Sequence, residues 1–279
     1  MTANSIIADR AALLDALAET CVRAGAAILA VYETDFAVTH KRDTSPVTEA
    51  DAAGEAIILA ALADLTPHIP VVAEEEYSAG RVPTTDGYFF LVDPLDGTKE
   101  FVERRGDFTV NIALIEGDAP SLGVVYAPTE RRIYAGDVHG GYAWSALVAA
   151  NDAIGPHERI AVRPAPEGGL AAVASRAHNS PETEAYLGQF DVASRVSRGS
   201  SLKICMVACG EADLYPRLAP TCEWDIAAGD AVLRAAGGML YAPNGAPMPY
   251  GKERFFNVGF VATGSVEAPP IAPFMKTEA

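Results

Sequence analysis

Apolar positions along this chain fall into blocks that alternate between helical and strand-like spacing. Leu14, Leu17, Cys21, Ile28 and Val31 recur near helical period in an alanine-rich stretch, which predicts a packing helix over 8–32. A second helix is predicted over 48–65, opened by Thr48-Glu-Ala-Asp51, an acidic variant of the capping box. Two short apolar runs end in acids, IPVVAEEE at 69–76 and the strand-like Tyr88–Val92 before Asp93. Pro94 holds Asp93 in extended backbone. The segments 108–115, 122–126 and 132–135 read as strands separated by Gly-Asp and Ala-Pro turns, an antiparallel meander. Glycine and proline crowd 139–169, where periodicity is poor, so a lobe boundary is expected there. Beyond it the pattern predicts a strand at 170–174, helices at 181–189, 201–210 and 225–236, and a strand at 239–242. The expectation is one two-lobed α+β domain over 1–279, with an antiparallel-sheet lobe at 1–150, an α/β lobe at 151–270 and a loose tail at 271–279.

Composition narrows the function. With 49% apolar residues over 279 positions, the chain can bury a large core. Its 21 basic and 37 acidic residues give a net charge of −16, which argues against nucleic acid or an anionic membrane as the main partner. Asp9, Arg10, Asp15 and Glu19 interrupt any signal-peptide core, and no apolar stretch approaches the roughly 20 residues of a transmembrane span. Four cysteines, Cys21, Cys205, Cys209 and Cys222, are too few for a disulfide scaffold and suit a reducing compartment. Cys205 and Cys209 share a helical face, but no further Cys or His completes a zinc site. A cytoplasmic protein is expected, free or peripheral at the inner membrane face, as a monomer or homodimer.

Candidate chemistry centres on Tyr88–Asn111. Asp93 and Asp96 end the apolar run three residues apart, and Asp96-Gly97-Thr98 makes a turn that exposes backbone N–H groups and a hydroxyl at a helix start. Carboxylates beside an anion site imply a bridging cation. Asp-Pro and Asp-Gly are also ordinary turn dipeptides, so this spacing alone leaves a plain strand-turn reading open. Asp225, in TCEWDIAAG at 221–229, opens a predicted helix and fits either an N-cap or a ligand. Ser200-Ser-Leu-Lys203 matches the S-x-x-K of serine acyl-enzymes, without the SDN and KTG motifs that accompany it there.

Four segments occur in an order that carries a resemblance: SPVTEAD at 45–51, VVAEE at 71–75, DPLDGTKEF at 93–101 and WDIAAG at 224–229. From about residue 20 to about residue 265 the chain resembles the inositol monophosphatase-like superfamily of lithium-sensitive, magnesium-dependent phosphatases. Lys99-Glu100-Phe101, GDFTVNIAL at 106–114, SRAH at 175–178 and GSSLKIC at 199–205 resemble, within it, the CysQ-type 3'(2'),5'-bisphosphate nucleotidases. The resemblance implies a layered αβαβα sandwich and two or three Mg²⁺ ions held by Glu74, Asp93, Asp96, Asp225 and the Leu95 carbonyl. It implies that Asp51 and Thr98, with Glu74, activate the attacking water. It further implies that Asp96, Gly97, Thr98, Lys99, His178, Ser200, Lys203, Arg217 and Asp225 contact a phosphorylated nucleotide. The implied reaction is removal of the 3'-phosphate of adenosine 3',5'-bisphosphate. Inositol 1-phosphate and fructose 1,6-bisphosphate are the alternative substrates, and a non-catalytic phospholigand sensor is the remote one.

Overall fold

Helix α1 (Arg10–Tyr32) begins where Asp9 accepts the Ala12 N–H at 2.9 Å, in a computed structural model that describes residues 9–40, 46–175 and 180–276. A short ribbon of β1 (Thr39–His40) and β2 (Pro46–Val47) leads into α2 (Glu49–Leu65). Then follow β3 (Val71–Ala73), α3 (Glu74–Ser78), β4 (Tyr88–Asp96) and α4 (Thr98–Val102). The strands β5 (Thr109–Glu116), β6 (Ala119–Ala127), β7 (Arg132–Asp137), β8 (Tyr142–Leu147) and β9 (Glu158–Ile160) continue as antiparallel neighbours. With β3 parallel to β4 at the other edge, they form a seven-stranded sheet in sequence order. The rest of the chain supplies β10 (Leu170–Ser175), α5 (Pro181–Leu187), β11 (Val192–Arg198), α6 (Leu202–Ala208), β12 (Leu214–Arg217) and β13 (Thr221–Cys222). It continues with α7 (Glu223–Ala235), β14 (Met239–Tyr241), β15 (Phe256–Asn257) and β16 (Phe260–Thr263). A five-stranded sheet takes the order β11-β10-β12-β16-β14, and β13 pairs with β15.

Strand periodicity explains the layering. Along β4, Phe90 and Val92 join a cluster with Leu17, Cys21 and Ile28 of α1 and Ile58 of α2, while Phe89 and Leu91 join the opposite one with Ile204 of α6 and Ala228 of α7. The five-stranded sheet repeats the arrangement. Ala171, Val173 and Ala262 face α6 and α7, whereas Ala172, Leu214 and Val261 pack on Tyr186 and Leu187 of α5. The result is the αβαβα sandwich that the resemblance implies, with α6 and α7 shared between two sheets. Both faces of the large sheet are buried, which is why β4 reads as a continuous apolar run rather than an alternating one.

Glycines let the middle layer approach. A Cβ on Gly123 of β6 would stand 2.5 Å from both the Ala228 carbonyl oxygen and the Ala231 Cβ, and one on Gly136 of β7 would stand 2.7 Å from the Val232 Cα. The α7 backbone therefore lies directly on the sheet, fixing the height of its first turn, where Asp225 sits.

The helices at 8–32, 48–65 and 225–236 match the structure within a residue or two. Two strands, β8 and β9, occupy 139–169 and extend the large sheet to Ile160. The tail departs from the expected loose segment: Ile271 is fully buried, and Phe274 packs on Tyr186 with ring centroids 5.2 Å apart. Ile271 and Phe274 close the outer apolar layer beneath α5, which α5, only seven residues long, does not cover alone.

Candidate active site

Four acids reach one region from three elements, α2, β4 and α7, and each has one oxygen fixed by a backbone N–H. Asp51 stands at the third position of α2, where its Oδ2 accepts the Thr48 N–H at 2.7 Å. Its Oδ1 is left facing the Thr98 hydroxyl at 3.5 Å. Capping occupies Oδ2 and leaves Oδ1 available for the role that the resemblance implies. Asp225 repeats the device at the third position of α7, accepting the Cys222 N–H at 2.9 Å, so it is neither a simple N-cap nor a free ligand. Asp93 Oδ1 accepts the Leu95 N–H at 3.0 Å, and Asp96 Oδ2 accepts the Ser201 N–H at 2.5 Å. Glu74 opens α3 directly after β3 and shares a hydrogen bond with Asp93.

Burial and mutual repulsion raise the proton affinity of this group. Burial, followed by the charges of Glu74, Asp96 and Asp225, holds Asp93 well above the usual carboxylate range. Burial, with Asp96 and Glu74, pushes Asp225 up to about 8. Asp96 rises to about 6 through burial, opposed by the Lys203 charge and the Ser201 N–H. Burial also takes Asp51 to about 6, against the hydrogen bonds from Thr48.

The donor set fits a hard divalent cation. Glu74, Asp93, Asp96 and Asp225 offer carboxylate oxygens alone, the chemistry that suits Mg²⁺ over zinc or copper. A dication among them would relieve the repulsion just described. Among the described residues no three acidic, His or Cys side chains close to the spacing of a finished metal cage. The carboxylates converge as an open cluster, compatible with an ion that keeps several of its waters.

A cleft of about 360 Å³ opens over this cluster. Glu74, Asp96, Asp225, Gly97 and Thr98 line it together with Lys99, Ser200, Lys203 and Arg217. Asp51, Asp93 and the Leu95 peptide lie behind the wall, with the Leu95 carbonyl accepting the Thr98 hydroxyl at 3.2 Å. Gly97 has φ 93° and a Cβ there would stand 3.0 Å from the Asp107 carbonyl, so the turn that presents the Thr98 N–H requires glycine. His178 lies outside the described residues.

Two of the cations in the cleft are fixed by contacts of their own. Lys203 is 5% exposed, donates from Nζ to the Ser200 carbonyl at 2.6 Å and stands 5.6 Å above the Tyr215 ring. That geometry disposes of the acyl-enzyme reading, because the ammonium bonds the Ser200 backbone, not its Oγ. Ser200 itself has φ 48°, a conformation that L residues seldom adopt outside functional loops. Arg217 donates from Nη2 to the Pro220 carbonyl at 3.2 Å, and its buried Nε has no partner among the described residues.

Sequence reasoning missed two groups. Glu55, one helical turn beyond Asp51, is 5% exposed and accepts the Glu75 N–H at 2.9 Å, which seats the start of α3 beside Glu74. Its spacing from Asp51 was the available signal. Arg198 lines the cleft, but its guanidinium is committed to Asp107 at 3.0 Å and to Glu130.

Comparison with known proteins finds relatives over most of the chain. The 3'(2'),5'-bisphosphate nucleotidase CysQ of Escherichia coli strain K12 is 43% identical over 251 residues, covering 89% of this chain and 98% of that protein. Its namesake from Buchnera aphidicola is 36% identical over 256 residues, covering 90% and 93%. The crystal structure of CysQ from Bacteroides thetaiotaomicron superposes with a TM-score of 0.75 at 39% identity, covering 91% of this chain and 98% of that one. The Thermotoga maritima IMPase shares the fold at a TM-score of 0.73 and 22% identity, covering 91% and 92%. The sequence profile of the inositol monophosphatase family matches residues 9–268, and the chain belongs to that family.

Proposed function

We propose that this protein is a magnesium-dependent phosphomonoester hydrolase that removes the 3'-phosphate of adenosine 3',5'-bisphosphate, giving AMP and phosphate, and that it also acts on the 5'-phosphosulfate relative. The observation that carries the reading is a cleft lined by both acids and cations. Glu74, Asp96 and Asp225 share it with Lys99, Lys203 and Arg217. A substrate with two phosphates can set one against a cation held by the acids and the other against the basic side chains. The extensive similarity to CysQ nucleotidases supports the same substrate class.

Mg²⁺ held by Glu74, Asp93, Asp96, Asp225 and the Leu95 carbonyl would supply charge neutralisation of the phosphoryl oxygens and a more acidic water. The protein's own groups do the rest. Thr98 Oγ1, between Asp51 Oδ1 and the Leu95 carbonyl, takes the proton of the attacking water as its own passes to Asp51, and the departing 3'-oxygen takes a proton from a water in the cleft as the P–O bond breaks. Glu74 orients that water for in-line attack. The Gly97 and Thr98 N–H groups hold phosphoryl oxygens at the start of α4. Lys99, Lys203, Ser200 and Arg217 receive the second phosphate and the nucleoside, with Lys203 and Arg217 as charge-assisted donors. The free cysteines, two of them fully buried, suit a reducing cytoplasm.

The test is phosphate release with Mg²⁺ from adenosine 3',5'-bisphosphate beside inositol 1-phosphate, fructose 1,6-bisphosphate and an EDTA control. Metal-dependent preference for the nucleotide is expected. Preference for a sugar or inositol phosphate would overturn the substrate assignment and leave the hydrolase.

A further inference from the structure

Ser201 sits at a junction that the steps above do not use. Its N–H is the group fixed on Asp96 Oδ2 at 2.5 Å. Its Oγ lies 2.8 Å from Thr109 Oγ1 and 2.9 Å from Asn111 Oδ1. All three residues are buried, at 3%, 0% and 0% exposure. Asn111 Oδ1 can only accept, so the Ser201 hydroxyl donates to it and accepts in turn from Thr109. That ordered chain uses both hydroxyl hydrogens.

The location gives the chain its meaning. Thr109 and Asn111 belong to β5, where they pair in register with Asp96 and Asp93 of β4. Ser201 belongs to the turn between β11 and α6, which also carries Ser200 and leads to Lys203. The three side chains therefore tie the turn that leads to Lys203 to the strand pair that carries two of the acids. Ser201 occupies the N-cap position of α6, where a serine would ordinarily cap, yet it makes no side-chain cap hydrogen bond because its hydroxyl is turned toward β5. A polar chain buried between layers is costly unless every member is satisfied, and Asn111 Nδ2 has no partner among the described residues. Packing alone would favour apolar residues at these positions.

We propose that Ser201 is a positioning residue for Asp96. Its side chain, locked to Thr109 and Asn111, holds its N–H on Asp96 Oδ2 and leaves Oδ1 for the cation. Seating of the Ser200–Lys203 turn and cation affinity at Asp96 are thereby coupled, and the coupling is reciprocal. The inference rests on the reading of Asp96 as a cation ligand.

The test compares Ser201→Ala, Thr109→Val and Thr109→Ser with the parent protein. Mg²⁺ affinity is measured by calorimetry without nucleotide and again with saturating AMP, and thermal melts report folding. Ser201→Ala and Thr109→Val should weaken Mg²⁺ by about 10-fold, as loss of a group that orients a ligand does. AMP should tighten Mg²⁺ in the parent and have no effect in Ser201→Ala. Thr109→Ser, which keeps the hydroxyl, should retain near-parent affinity. Unchanged Mg²⁺ affinity in Ser201→Ala overturns the proposal. So does Thr109→Ser as weak as Thr109→Val, which would indicate packing alone. The functional reading fails separately: weakened Mg²⁺ in the variants of a protein that does not hydrolyse the nucleotide would leave this inference standing.

Discussion

Replacing Lys203 with methionine removes one charge while keeping the stem packed on Tyr215, and the structure gives the consequence a size. Lys203 Nζ spends one of its three donors on the Ser200 carbonyl at 2.6 Å. The two that remain can meet a phosphate in the cleft. A hydrogen bond to a charged group contributes about 1.5–3 kcal/mol, so its loss should lower kcat/KM for adenosine 3',5'-bisphosphate by about 10- to 150-fold. Adenosine 3'-monophosphate lacks the second phosphate and should lose less than about 3-fold. The Lys203 charge also lowers the proton affinity of Asp96, an effect common to both substrates, so saturating Mg²⁺ is needed to suppress it. Stability should fall by about 1–2 kcal/mol for the lost backbone bond and the ring contact. Steady-state kinetics on the two nucleotides decide the matter. An equal loss on both, or none on either, would refute the role assigned to Lys203.

The remaining expectations concern the metal, the middle helix and the core. In EDTA the folded chain holds protons on Asp225 up to about 8 and on Asp96 up to about 6, which an unfolded carboxylate releases near 3.8. The folded state therefore binds more protons across that window, and metal-free stability should fall as pH rises from about 4 to about 8. Mg²⁺ should bind more tightly as those protons leave and should restore the melting temperature. A metal-free melting temperature that climbs between pH 5.5 and 8.5 would contradict this. Gly123→Ala forces a methyl against the α7 backbone and should cost about 1–3 kcal/mol with weakened Mg²⁺ binding, read by urea unfolding and calorimetry. Arg234→Ala leaves the fully buried Asp230 with the Tyr250 hydroxyl at 2.8 Å and should cost about 3–5 kcal/mol; a change under about 1 kcal/mol would show that the pair is dispensable.

Many of the elements were legible because they carry strong periods, whereas their layering followed only from the family resemblance. Helix α1 and strand β4 are unmistakable, since one bears a helical stripe and the other five consecutive apolar residues. Strand β8 was not, because Ala143, Trp144, Ser145 and Ala146 are all buried yet give an alanine-serine pattern with little apolar contrast. Its partners make it a strand, not its own residues. At the candidate site, Asp93, Asp96 and Asp225 stood out through their turn and helix-start contexts. Glu55 did not, because a glutamate within a helix usually faces solvent and only the arrival of the Glu75 N–H explains its burial. The chain of Ser201, Thr109 and Asn111 joins residues 90 or more positions apart, and hydroxyls in a strand and a turn give no local sign of meeting.

The way the acids are fixed has a consequence for how such a pocket can change. Asp51, Asp93, Asp96 and Asp225 are each oriented by a main-chain N–H, a group present whatever side chain the neighbouring residue carries, proline excepted. Lys99, Lys203 and Arg217 bring side-chain cations to the same cleft, and in the proposed function these read the substrate. Reaction and recognition are thus written in two different alphabets, backbone for one and side chain for the other. Selection or a designer can reword the second while those main-chain bonds and the Ser201 link between the two stay in place, giving a single scaffold room to move between phosphorylated substrates by a handful of substitutions.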